Sequence, residues 1–85
     1  MVSFTYTIKV EAGVHARPAG MITKEANQYD SAITIRMEDK EVDAKNLLAI
    51  MSMCIQCGTE VTVCAEGKDE KEAIAAVEHV FEEYL

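Results

Sequence analysis

A histidine and an arginine stand two residues apart in the run Gly13-Val14-His15-Ala16-Arg17-Pro18-Ala19, which also holds the chain's only proline. An imidazole nitrogen can hold a phosphoryl group covalently, and a guanidinium is a fixed cation that forks onto phosphate oxygens. Pro18 belongs to the first turn of a helix, where its missing N–H costs nothing. A helix N-terminus supplies unpaired backbone N–H donors and about half a positive charge from the macrodipole. Phosphoryl transfer needs an in-line nucleophile, stabilised equatorial oxygens and little else. The run therefore predicts four roles. His15 accepts phosphate, the N–H groups of Ala16 and Arg17 receive the dianion, the Arg17 side chain neutralises it, and Pro18 fixes the turn. No metal and no cofactor is called for.

Hydrophobic periodicity shows what positions this run. Phe4, Tyr6, Ile8 and Val10 alternate with polar residues, which is the period of a strand with one buried face. Gly13 breaks that strand. Ala19, Ile22, Ala26 and Tyr29 recur at three- and four-residue steps and predict a helix from Ala16 to about Tyr29. Gly20 is unfavourable inside it by roughly 1 kcal/mol, unless something approaches closely there. Ile33 and Ile35 mark a second strand and Val42 a short third. Glu38-Asp39 forms the turn between them, with Asp39 suited to a left-handed conformation. Asn46 is an N-cap for a short helix from Leu47 to about Met53. Val61, Val63 and Ala65 form a fourth strand, closed by Gly67. Asp69 and Glu72 resemble a capping-box pair for a last helix, Glu70 to Tyr84, with Ile74, Val77, Phe81 and Tyr84 on one face. The half-buried strands predict an α+β fold: an open-faced two-layer sandwich of order βαββαβα, with a four-stranded, mainly antiparallel sheet and three helices on one face.

Composition bounds the function. Eighty-five residues make a single domain, 1–85, with a modest core. The net charge is −7, from 8 basic and 15 acidic residues, which argues against a nucleic-acid partner. No apolar run is long enough to insert in a membrane, and the first residues are not those of a signal peptide, so the sequence predicts a cytosolic protein. Cys54-Ile55-Gln56-Cys57 has C-x-x-C spacing, and Cys64 adds a third, odd sulfur. No second pair completes a metal site, so the expectation is reduced, inert thiols, with redox sensitivity as the alternative. His79, in the acidic last helix, reads as a surface residue.

Gly13-Val14-His15-Ala16-Arg17-Pro18-Ala19, the segment Met51-Ser52-Met53 to Ile55-Gln56, and Ala65-Glu66-Gly67 resemble the HPr family, the histidine-containing phosphocarriers of the bacterial sugar phosphotransferase system. The likeness runs over essentially the whole chain. It implies the fold above, with the first and fourth strands as central neighbours. It implies a carrier rather than an enzyme: phosphorylated enzyme I gives its phosphoryl group to Nδ1 of His15, which passes it to IIA domains of sugar transporters. It implies a docking surface from Gly20, Lys24, Leu47, Leu48 and Met51, where flexible apolar side chains suit several partners. A monomer is expected. Three positions depart from the family. Asn46 stands where some relatives carry a serine that a kinase phosphorylates, and it has no hydroxyl to modify, so that regulation is expected to be absent, with Ser52 as the alternative. Cys54 stands where the family has glycine and Cys57 where it usually has a basic residue, so strain or a local shift is expected at the end of the short helix.

Two other readings share these residues. One is a regulatory or nitrogen-linked relative of the same family that acts mainly through protein contacts. The other is a small thiol redox or metal protein built on the cysteine pair.

Overall fold

The computed structural model describes residues 1–85. Its elements are β1 (Val2–Thr7), α1 (Ala16–Ala26), β2 (Ala32–Met37), β3 (Lys40–Asp43), α2 (Leu47–Ser52), β4 (Glu60–Glu66) and α3 (Glu70–Tyr84). The strands form one antiparallel sheet in the order β1-β4-β2-β3. The expected pairing of β1 with β4 is present, but β1 is not central. It is an edge strand, because the second edge of β4 is taken by β2. The central strands are β4 and β2.

Alternation sorts the two faces. Val61, Val63 and Ala65 of β4 and Ile33 and Ile35 of β2 are buried, and Phe4, Tyr6 and Val42 pack against them from the edge strands. Phe81 of α3 meets Phe4 and Tyr6 edge-to-face, with ring centroids 5.4 and 5.6 Å apart. That is the favoured geometry for aromatic quadrupoles. The other face is a polar surface. Its cross-strand rows are Ser3–Cys64–Thr34–Asp43 and Thr5–Thr62–Arg36–Glu41. The helices lie on the apolar side: α3 covers β1, β4 and β2, and α1 packs between α3 and α2.

Several expected details differ. Helix α1 ends at Ala26, short of Tyr29. Both the backbone and the side-chain amide of Asn27 donate to the carbonyl of Thr23, and the side chain also donates to Lys45. An asparagine that bonds backbone in this way competes with helix continuation. The buried stripe of α3 is Ala73, Val77, Val80 and Phe81, while Ile74 and Tyr84 lie at its margins. The left-handed residue of the β2–β3 turn is Glu38, with φ 57°, rather than Asp39.

The Asp69–Glu72 capping box does not form. The Asp69 carboxylate accepts instead from the N–H of Asp30 (2.9 Å) and from the N–H (2.9 Å) and hydroxyl of Ser31. Glu70 takes over the reciprocal role. Its side chain accepts from the N–H of Gly67 at 3.1 Å, and its own N–H donates to the Gly67 carbonyl. Gly67 has φ +153°, and a Cβ there would lie 2.6 Å from Ser31 Oγ and 2.8 Å from Ser31 Cα, so only glycine fits.

Candidate functional site

His15 is the N-cap of α1, extended at φ −97° and ψ −170°. Its carbonyl accepts the N–H of Ala19 at 3.0 Å, which starts the helix. Its side chain forms no capping hydrogen bond. The N–H groups of Ala16 and Arg17 have no backbone acceptor, and Pro18, next in the turn, has no N–H to satisfy. No acidic residue occupies that first turn. The result is a helix end with two unused donors, a positive dipole end, and the exposed side chains of His15 and Arg17 beside it. Arg17 has no acidic partner. Pro18 and Ala19 turn inward and anchor the turn in the core.

The loop before His15 is braced from elsewhere in the chain. Gly13 donates to Val10 at 3.0 Å, and Val14 donates to the carbonyl of Ile55 at 2.9 Å. Val14 and Ile55 are both buried. Gly13 adopts φ +71°, and a Cβ there would lie 2.5 Å from the Ile55 oxygen. Gly13 thus lets the loop lie directly on the segment that follows α2. Sequence reasoning marked Gly13 as a strand breaker and missed Ile55 as its brace. Nothing local in the sequence signals a contact between residues so far apart.

The residues expected to meet partners fall on two helices packed side by side. On α2, Asn46 Oδ1 caps the first turn by accepting from Ala49 N–H at 3.1 Å. Ile50 is buried, while Leu47, Leu48 and Met51 are 40%, 80% and 36% exposed, so the helix presents apolar surface to solvent. On α1, Lys24 is exposed in the last turn, where a cation complements the dipole. Nothing lies within 4 Å of a Cβ built on Gly20, so no part of this chain makes the close approach that would require a glycine there. Cys54 follows α2 with φ +51°, the left-handed conformation expected to be strained in a non-glycine residue. His79 is an exposed partner of Glu83 at 3.1 Å.

A family profile described as the PTS HPr component phosphorylation site matches residues 2–83. The chain belongs to the PTS HPr family. Phosphocarrier protein HPr of Mycoplasma capricolum is 40% identical over 77 residues, covering 91% of this chain and 86% of that protein. The HPr-like protein Crh of Bacillus subtilis is 38% identical over 74 residues, 87% of each chain. A solved mycoplasma histidine-containing phosphocarrier superposes with a TM-score of 0.95 at 36% identity, covering 96% of this chain and 93% of the other. The open sheet and three helices are therefore the HPr fold.

Proposed function

We propose that this HPr-family chain is a cytoplasmic, monomeric phosphocarrier of the phosphoenolpyruvate-dependent sugar phosphotransferase system. The neutral imidazole of His15 attacks the phosphorus of phosphorylated enzyme I through Nδ1. The bond to the donor breaks as the new P–N bond forms, and the reverse exchange delivers the group to a IIA domain. The observation that carries this reading is the open end of α1, where an exposed histidine is the N-cap, the first turn has no acid, two N–H groups have no acceptor and Arg17 has no acidic partner. Dianion charge gathers on three oxygens during transfer, and these are the groups that stabilise it. His15 and Arg17 are both exposed, which suits a carrier that must release its phosphate. Leu47, Leu48 and Met51, with Gly20 and Lys24, form the docking surface for both donor and acceptors. Asn46 serves as a cap and carries no regulatory phosphate.

Incubation with phosphoenolpyruvate and enzyme I tests the proposal. The expected product holds one acid-labile, base-stable phosphate per chain, which purified IIA domains remove. His15→Ala should accept none while keeping its circular dichroism spectrum. The likeness to Crh favours a second reading, a regulator acting by contact alone; a folded protein that stays unphosphorylated would establish that reading instead.

A further inference from the structure

Two exposed thiols bracket the brace of the His15 loop. Cys54 and Cys57 are both free and exposed. Between them, Ile55 is buried and its carbonyl holds Val14 N–H at 2.9 Å. A Cβ on Gly13 would come within 3.0 Å of Gln56 Cα and 3.4 Å of Cys57 N, so the whole segment lies against the loop. The Cys57 thiol points to the same loop, 3.6 Å from the Lys9 carbonyl. The segment belongs to neither helix nor strand, and Cys54 enters it in a strained left-handed conformation.

We propose that Cys54 and Cys57 are a redox modification site, a dithiol whose closure to a disulfide displaces the Ile55 brace and slows phosphoryl transfer at His15. The consequence for transfer rests on the phosphocarrier reading above; the disulfide and its effect on the loop do not. The oxidant is a small-molecule disulfide such as oxidised glutathione. The thiolate of one cysteine attacks a sulfur of that disulfide, forming a mixed disulfide and releasing one small thiolate. The thiolate of the other cysteine attacks the protein sulfur of the mixed bond, forming the Cys54–Cys57 bond and releasing the second. Two protein thiols are oxidised, one external disulfide is reduced to two thiols, and the two protons leave with them. C-x-x-C spacing is the usual setting of such an exchange. Closure draws both ends of the segment together about Ile55, whose side chain is held in the core. The carbonyl between them must therefore reorient, and Val14, adjacent to His15, loses its acceptor.

The test compares the full-length protein before and after treatment with oxidised glutathione. Peptide mapping should find a Cys54–Cys57 bond with Cys64 still free. The Val14 amide should shift in a nitrogen–proton NMR spectrum and exchange faster with solvent. Transfer from enzyme I should slow roughly tenfold, as a small misplacement of a reacting group permits, and recover with dithiothreitol. The double variant Cys54→Gly, Cys57→Ser should transfer at the same rate with and without oxidant. A mixed disulfide that never closes, an unmoved Val14 amide, or an oxidised protein that transfers at full rate overturns the proposal. Failure of the reduced protein to accept phosphate would overturn the phosphocarrier reading instead, and leaves the mapping and amide measurements to decide the dithiol.

Discussion

The N-termini of α1 and α3 face the same physical demand and meet it in opposite ways. Each exposes N–H groups and a positive dipole end. At α3 the anions are built in: Glu70 and Glu72 stand in the first turn, Glu70 accepts from Gly67, and Asp69 is bound by Asp30 and Ser31. At α1 the first turn has no acid, the cap side chain makes no bond, and the only charged neighbour in the turn is a second positive group, Arg17. The difference lies in charge and capping rather than in the count of unpaired donors, since Lys71 and Glu72 of α3 and Leu47 and Leu48 of α2 also lack an acceptor. First-turn carboxylates balance the dipole at α3, and the Asn46 side chain caps α2. Helix α1 alone has neither an acid nor a side-chain cap, so its end is the one left open to an external anion.

Closing the open end gives the largest effect. His15→Asp places a carboxylate at the N-cap, where it can accept from Arg17 N–H, Pro18 having none to offer. Phosphate acceptance from enzyme I should be abolished, while urea unfolding shows a gain of about 1 kcal/mol. A variant no more stable than the parent would show that the end of α1 is not open, and the contrast with α3 would fail.

The paired glycines come next. Gly13→Ala puts a Cβ 2.5 Å from a backbone oxygen at φ +71°, and Gly67→Ala puts one 2.8 Å from Ser31 Cα at φ +153°. Each should lose roughly 2–4 kcal/mol of stability, combining overpacking with an unfavourable φ. Their consequences for function should separate. Under conditions where both remain folded, Gly13→Ala should slow phosphoryl transfer and Gly67→Ala should not. Equal slowing would mean that the two ends of the domain are mechanically linked.

What the sequence made readable follows from how local each cause is. Strand alternation, the first-turn Pro18, the Asn46 cap and the span of α3 all depend on residues within a turn or two of each other, and they match the structure except that β1 ends at Thr7 and Ile8 and Val10 lie in the loop before Gly13. The place of β1 at the sheet edge depends on which partner β4 finds on its other side, and no single strand encodes that. Asp69 looked like a helix cap because its neighbours suit one; its carboxylate is held by Ser31, distant in the chain. In the candidate site, the helix start was legible in His15, Arg17 and Pro18, whose types and spacing define it. The brace from Ile55 was not, because a backbone carbonyl carries no signature of side-chain type.

The charged junction at α3 should be the acid-sensitive end. Asp69 is held below the usual carboxylate range, first by the Ser31 hydroxyl and then by the Asp30 N–H. Glu70 is lowered first by the Gly67 N–H and then by the terminal ammonium, 3.0 Å away. A carboxyl with a depressed folded value is protonated more readily in the unfolded chain. Its contribution is therefore whole above the ordinary carboxylate range and fades as pH falls through the folded value. Both groups are solvent-screened, so the effect is modest. Asp69→Asn should lower Tm at neutral pH, and the gap from the parent protein should narrow on acidification. A gap that stays constant with pH would mean that geometry alone, without charge, holds the junction.

The smallest effect distinguishes strain beside the site from strain far from it in the fold. Cys54 at φ +51° and Glu38 at φ 57° are the two non-glycine residues in left-handed backbone. Such a conformation costs roughly 1–2 kcal/mol, and glycine returns about 0.5–1 of that through its freer unfolded chain. Cys54→Gly should therefore gain about 0.5–1 kcal/mol by urea unfolding. Glu38→Asn, using a residue that tolerates this region, should gain about 0.5 kcal/mol. The comparison lies in what accompanies the gain. Glu38 sits in a hairpin turn between β2 and β3, and its relief should leave every amide of the His15 loop unmoved. Cys54 leads directly into the carbonyl that holds Val14. If the left-handed turn at Cys54 helps set that carbonyl, the freer glycine should speed hydrogen exchange at Val14 even as global stability rises. Exchange unchanged at Val14 would show that Ile55, buried and packed, sets the brace alone and that the strain at Cys54 is local to the end of α2.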